Sequence, residues 1–599
     1  MHKLIKTDFH LHTCYSDNRD RMTPEEYVAP AKKNGFAAIG FCDHHHNLTQ
    51  AGWRALRAAA DSLTTPELLV STGYEATFVT GHLCMLNRTE FDGESALLCE
   101  RQMWRPDNLR IVAHPDNNSC AWRLPLPVGA AGVEVINGGQ DLYAYRPSSP
   151  CNGLRTYQTY LLLNHPVAAF AQSDCHERMI FGRVWTGMWL PEDTATTWAA
   201  IDSAIDERRV FAAMGDITLR VWSDEDTYTV PVLRWETSPG AEITIFCADR
   251  PVTYLEPEAA ACGYHQPATN GYTWILAKRG LAWAVSSPIR MQPRAADHLE
   301  IAAKREDLLA NSFVQHQSDR LKRRLEQLIG FETIWTDSLF PVQEYVTWLS
   351  ALLPDQWPRE EFVDGVEELQ RRAGLRLQHA ATIATAVLDD LTRQRFRDRV
   401  GEPDRVHAVV AVPNSGETRG PIQFTVDVPR DWSDVTLVDP AGAEMDFIAQ
   451  EVDGERDPIH GPRTREQLGE VVTWLRHGEM HEYGLRHVTL THTDATVEVH
   501  FDLYPARLLG EVLQYGQPAA ELEQLIADPS VTEFHVHTRM PKRLAILLRI
   551  DSLPADGLLT VHVRPGRRSR ADMDRRFGVF GNRSLGADLL AEGWVVQVS

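Results

Sequence analysis

Short apolar runs separated by amphipathic stretches recur through residues 1–220. Residues 4–9 read as a strand. Thr23-Pro24-Glu25-Glu26 opens a helix: Thr23 caps, Pro24 takes the first turn and Glu26 completes a capping box. That helix runs through Tyr27, Val28 and Ala31 to a stop at Gly35. A buried strand follows at 37–41, and further apolar runs stand at 68–71, 111–113 and 167–171. Short strands alternating with helices predict a parallel α/β sheet or barrel.

Farther on, the pattern changes. Residues 226–295 alternate in short strand-like runs with Trp222, Trp235, Trp274 and Trp283 nearby, which predicts a small β module. From 297 to 400 the period becomes helical, with Leu321, Leu325 and Leu328 on one face and Lys322, Arg323 and Arg324 on the others. After Glu402-Pro403, strand runs return with turn punctuation. The expected division is a barrel at 1–222, a β module at 223–296, a helical segment at 297–401 and a β-sandwich-like region at 402–599.

Composition adds exclusions. The chain has 599 residues, 43% hydrophobic and 24% charged, which describes a globular protein of several domains. Its net charge of −22 argues against an extended nucleic-acid surface, which needs basic stripes. No signal-peptide core and no membrane-length apolar run stand out. All nine cysteines lie at or before Cys262 without close CxxC pairs, which predicts reduced thiols in a cytoplasmic protein. Long β regions are compatible with a homo-oligomer.

The candidate chemistry lies just after the N-terminal strands. His10, His12, Asp17, Asp43, His44, Glu75, His82, His114, Asp174 and His176 arrive in short clusters. These are nitrogen and oxygen donors for divalent metals, without the thiolates of closed structural zinc sites. Residues placed after parallel strands gather at one rim, where barrel active sites sit. Cys175 is expected to point away from Asp174 and His176. His535-Val536-His537 has no comparable series around it.

In their order, His10-Leu11-His12, Cys42-Asp43-His44, Gly73-Tyr74-Glu75, Ala113-His114-Pro115 and Ser173-Asp174-Cys175-His176 resemble the motifs of the polymerase and histidinol phosphatase (PHP) domains. Ser16-Asp17 and Gly81-His82-Leu83 fall where that family places two further ligands. The resemblance covers about residues 1–220. It implies a distorted seven-stranded β/α barrel with two or three divalent ions, zinc, manganese or iron. By position it implies one metal on His10, His12, Glu75 and Asp174, with Glu75 bridging to a second on His82 and His114. A third would be held by Asp17, His44 and His176. Beyond residue 300, the order of helices and strands resembles the β-sandwich region that follows the helices in family 38 α-mannosidases, which adds carbohydrate to the ligands to consider.

Paired cations lower the pKa of a water between them, and the resulting hydroxide attacks phosphorus or a carbonyl carbon. Glu75, Asp43, Asp174 and His176 are the expected catalytic set. Asp43 either orients a ligand imidazole or serves as a strand-end turn residue. Arg19 and Arg178 either clamp a phosphate or sit solvated at the surface. His45 and His46 extend the Asp43-His44 cluster. The leading expectation is a phosphoesterase for a small phosphorylated molecule, a sugar phosphate or nucleotide. A carboxylic or carbamate ester hydrolase acting on a glycan-linked or small-molecule substrate is the second. The third is a carbohydrate-binding or scaffold protein around a vestigial metal site.

Overall fold

The computed structural model describes residues 2–45, 47–78, 81–87, 91, 109–116, 122, 130–141, 153–224, 232–256, 261–266, 270–291, 298–334, 342–397, 406–411, 420–430, 432–439, 441–451, 460–465, 467–469, 471, 483–493, 496–505, 533–550, 558–566, 591–592 and 594–598. The chain divides into two compact units, Met1–Ala386 and Val387–Ser599.

In the first unit, the five expected strands form and four more join them. They are β1 (His2–Leu11), β2 (Phe36–His44), β3 (Leu69–Phe78), β4 (Gly81–Leu86), β5 (Leu109–Ala113), β6 (Gly132–Asn137), β7 (Ala168–Gln172), β8 (Val184–Pro191) and β9 (Val210–Met214). The helices among them are α1 (Pro24–Lys33), α2 (Gln50–Leu63), α3 (Gly138–Asp141), α4 (Leu154–Leu162) and α5 (Trp198–Asp206). Both halves of the capping box are present at Thr23 and Glu26, and Asn34 closes α1 before Gly35 turns at φ +74°.

One 14-stranded sheet carries all nine strands, with the central order β9-β8-β1-β2-β3-β4-β5-β6-β7. It is mixed rather than purely parallel. β1, β2 and β3 are parallel neighbours, as are β5, β6 and β7, but β4 runs antiparallel to both β3 and β5, and β8 runs antiparallel to β1. Only two residues separate Phe78 from Gly81, too few for the crossover that a parallel neighbour requires. The sheet curls until β7 meets β8 and β9. Thr186 Oγ1 accepts from Ala171 N at 2.9 Å and donates to Ala171 O at 2.7 Å. Phe9, Leu86, Ile111, Phe170 and Met188 share one buried core with Ile201 and Ile205 of α5.

Hydrogen bonding crosses the expected boundary at residue 222. The segment after β9 supplies β10 (Leu219–Asp224), β11 (Val232–Thr237), β12 (Glu242–Cys247), β13 (Arg250–Leu255), β14 (Cys262–His265), β15 (Gly271–Arg279), β16 (Ala282–Ser286) and β17 (Ile289–Met291). β16 pairs with β9, and β15, β12 and β13 extend the same large sheet. Helices α6 (His298–Ala310), α7 (Ser312–Ile334), α8 (Val342–Ser350) and α9 (Val366–Arg397) follow. Leu321, Leu325 and Leu328 of α7 are buried as their spacing predicts. Arg376 of α9 donates to Leu162 O at 2.7 Å and Asn164 Oδ1 at 3.0 Å, which ties α9 to the end of α4.

The second unit is built mainly of strands. Two four-stranded sheets share a core that includes Phe424, Phe447, Ile546 and Leu548 from one and Leu437, Val561 and Val563 from the other. A third four-stranded sheet has its own core around Val497, Val499, Phe501 and Val536. No described helix is long and apolar enough to cross a membrane.

Candidate metal centre

Strands β1 to β4, the loop after β1 and the turns after β5 and β7 bring all the expected ligands together. β2–β3 register sets His44 beside Glu75, and the β3–β4 hairpin sets Thr77 opposite His82. Residues i and i+2 share a face of a strand, so Glu75, Thr77 and His82 point the same way. His114 and Asp174 occupy the turns, with φ of 27° and 49°. Such left-handed backbone costs energy in a non-glycine residue and persists where surrounding structure holds it.

At the middle lies Glu75, fully buried. Its Oε2 is 3.4 Å from His10 Nε2, 3.6 Å from His12 Nε2 and 2.9 Å from His44 Nδ1. Its Oε1 is 2.8 Å from His82 Nδ1 and 3.2 Å from His114 Nε2. Asp174 Oδ1 lies 3.1 Å from His12 Nε2 and 3.5 Å from His10 Nε2, and the two Nε2 atoms are 3.1 Å apart. Adjacent ligand atoms bonded to one cation at about 2.0–2.2 Å lie roughly 3 Å from each other. The donors around His10, His12, Glu75 and Asp174 therefore fit a single cation, and His82 and His114 converge on the other oxygen of Glu75.

Nearer solvent, Asp17 Oδ2 is 2.9 Å from His176 Nε2 and 3.4 Å from His44 Nε2, and Asp17 Oδ1 is 3.5 Å from His12 Nδ1. These four residues offer ligand atoms that all lie within 4.8 Å of one another. The carboxyl of Asp17 is 41% exposed and the ring of His176 25%, so this is the open side of the centre.

The buried carboxylates of the centre call for positive charge beside them. Burial opposes ionisation of Glu75, but the imidazoles of His82, His10 and His44 outweigh it and hold its carboxyl well below the usual range. Burial likewise opposes the charged form of His176, yet Asp17 and Asp174 raise it to about 10. Burial, reinforced by His176, lowers His12 to about 4. Among the described residues, Glu75 Oε2 and His82 Nε2 are buried without a hydrogen-bond partner. An orphaned carboxylate oxygen ringed by imidazole nitrogens is the feature a bound cation would satisfy.

Glu134, on β6, belongs to the centre although no expected motif contains it. Its carboxylate accepts from His10 Nδ1 at 2.7 Å, from the His114 backbone N–H at 2.9 Å and from Asn137 Nδ2 at 2.8 Å. The first bond turns the Nε2 lone pair of His10 into the centre. The available signal was one acid inside the apolar run Val133-Glu134-Val135-Ile136, every residue of which is buried. Cys84 Sγ is also 4.0 Å from Glu134 Oε1, but burial raises that thiol well above its ordinary range, so it stays protonated.

Several expectations need correction. Asp43 does not orient His44. Its carboxylate accepts from Thr13 N at 2.6 Å, Thr13 Oγ1 at 2.7 Å and Ser16 Oγ at 2.6 Å. Consecutive residues of a strand face opposite ways, so Asp43 holds the loop after β1 while Thr77 Oγ1 contacts His44 Nδ1 at 2.6 Å. Ser16 Oγ also lies 3.3 Å from His12 Nδ1, so Asp43 reaches the centre through Ser16. Arg19 and Arg178 are exposed and engaged by carboxylates: Arg19 Nη1 donates to Glu177 Oε1 at 2.7 Å and Arg178 Nη2 to Glu26 Oε1 at 2.8 Å. Cys175 Sγ donates to Glu177 O at 3.3 Å, away from its neighbours' ligand atoms. His45 Nδ1 accepts from Thr77 N at 2.9 Å. His46 lies outside the described residues.

No protein-family model matches the chain, and no curated protein matches it.

Proposed function

We propose that the N-terminal unit is a metal-dependent hydrolase of the PHP type, a phosphoesterase acting on a small phosphorylated substrate such as a sugar phosphate or nucleotide. The observation that carries this reading is the buried Glu75 carboxylate, with five imidazole nitrogens at 2.8–3.6 Å and one oxygen lacking a donor. The ordered motifs and the curled sheet support the family reading. Divalent metals held here would polarise the scissile group and lower the pKa of a coordinated water. Glu75 joins the two ligand sets and offsets their positive charge. Glu134 fixes His10, and Ser16, anchored by Asp43, fixes the loop that carries His12. His176 and Asp17 mark the side from which substrate enters.

A second reading, hydrolysis of a carboxylic or carbamate ester, is favoured by the engagement of Arg19 and Arg178. A neutral ester makes no demand for a guanidinium, whereas the charge of a phosphate would have to be met by the metals alone. Protein loaded with Mn²⁺ or Zn²⁺ should hydrolyse bis-p-nitrophenyl phosphate, and Glu75→Ala should abolish turnover. Hydrolysis confined to p-nitrophenyl acetate selects the ester reading. Absence of metal-dependent turnover on either substrate rejects both.

A further inference from the structure

His535-Val536-His537 stands alone in the sequence but not in the folded second unit. The strand Glu533–Arg539 runs parallel to Thr496–Pro505 on one side and antiparallel to His460–Arg463 on the other. Register sets His460, His537 and His500 in one row across the three strands, and sets Glu498 beside His535. The alternating residues Val497, Val499, Phe534 and Val536 are buried in the core of this sheet, so the histidines and Glu498 occupy its other face. There His537 Nε2 lies 3.2 Å from Glu498 Oε2, and His535 Nδ1 lies 3.7 Å from Glu498 Oε1. The rings of His500 and His537 stack with centroids 4.9 Å apart.

We propose that this face binds one divalent transition-metal cation through His537, His500 and Glu498, with His460 as a fourth ligand from the adjoining strand. Cross-strand neighbours place their Cβ atoms about 4.5–5.5 Å apart, and a cation bonded at about 2.0–2.2 Å draws its ligand atoms to roughly 3 Å. The His537–Glu498 pair already has that spacing. His500, whose ring stacks on that of His537, would have to rotate about its side-chain bonds to join them. Arg539 Nη2 is 3.5 Å from His500 Nδ1, which makes Nε2 the ligand nitrogen. Imidazoles with one carboxylate and no thiolate select Zn²⁺, Cu²⁺ or Ni²⁺ over Mg²⁺ or Ca²⁺. The rings of His535 and His537 are 36% and 37% exposed, so the cation arrives from solvent and retains water. The site shares no residue with the N-terminal centre and stands or falls separately from it.

The competing account is a solvated polar face in which Glu498 pairs with histidines and metal has no role. The two differ in a metal titration of the full chain after chelator treatment. The double variant His500→Ala/His537→Ala should bind one Zn²⁺ fewer per chain in competition with a chromophoric chelator, with hydrolysis unchanged. Glu498→Gln, which keeps both rings but removes the anionic ligand, should weaken binding of that ion. With Cu²⁺, the imidazole nitrogen splitting of this site should survive His10→Ala/His12→Ala. Equal Zn²⁺ stoichiometry and affinity in the folded double variant, checked by circular dichroism, overturns the assignment. Loss of every copper–imidazole signal on His10→Ala/His12→Ala overturns it equally.

Discussion

Glu134→Gln isolates the part of the centre that orients rather than ligates. The substitution conserves volume, so packing on β6 is retained. The wild-type carboxylate faces donors on both oxygens, with His10 Nδ1 on Oε1 and the His114 N–H and Asn137 Nδ2 on Oε2. A glutamine has one acceptor oxygen and one donor amide. If its oxygen stays with His114 and Asn137, its amide meets His10 Nδ1 and drives the proton of that ring to Nε2, the nitrogen that faces Glu75 and Asp174. If it flips, two buried donors lose their partner, at about 1–3 kcal/mol each. The first outcome is the cheaper, and it costs metal affinity. Loss of an outer carboxylate of this kind weakens binding roughly 10–100-fold, equivalent to about 1.4–2.7 kcal/mol. Chelator competition would measure the affinity, and nitrogen NMR of His10 would report which ring nitrogen is protonated. Wild-type affinity with His10 still protonated at Nδ1 would falsify the orienting role.

Gly73→Ala should prevent folding of the first unit or cost at least about 3 kcal/mol, because a Cβ there would meet Met85 O at 2.1 Å and Leu86 Cα at 2.8 Å, both backbone atoms of β4; a melting temperature within about 2 °C of wild type would contradict the packing described. His165, lowered from 6.5 to about 4 by burial and then by Arg208, is protonated first in the unfolded chain, so stability falls as pH drops from 6.5 towards 4. His165→Phe keeps the ring against Tyr160 and Trp348 and should flatten that slope in urea titrations; an unchanged slope refutes the assignment. Chelator-treated protein should keep its far-ultraviolet dichroism and melt cooperatively, with restored metal at 100 times its Kd adding about 2.7 kcal/mol; unfolding on metal removal would make the ions structural. Arg19→Ala and Arg178→Ala each break an exposed, solvent-screened ion pair and should leave KM for the phosphodiester within about two-fold, whereas a larger rise would restore the phosphate-clamp role.

What could be read from the sequence follows from how far apart the partners lie along the chain. His44 precedes Thr77 by 33 residues, but His10, His12, His44, His114, Asp174 and His176 lie at or just after the ends of apolar strands, so position alone marks them. Glu134 stands 124 residues from His10, and its strand register was not available to any local pattern. Its only local mark is a charge in a run too apolar to be solvated, and a buried acid requires donors. The alternation along a strand that turns Cys175 away from its neighbours also turns Asp43 away from His44. The face Asp43 occupies is thus legible in the sequence, while its donors, Thr13 and Ser16, are fixed only by the fold. His535 and His537 show the converse case. Spacing of two puts both on one face, but their companions Glu498 and His500 come from a strand whose pairing is parallel, and a parallel partner cannot be a hairpin neighbour. A His-x-His pair on a strand is therefore uninformative until that strand's neighbours are known, and it is the neighbours, not the pair, that separate a ligand set from a polar surface.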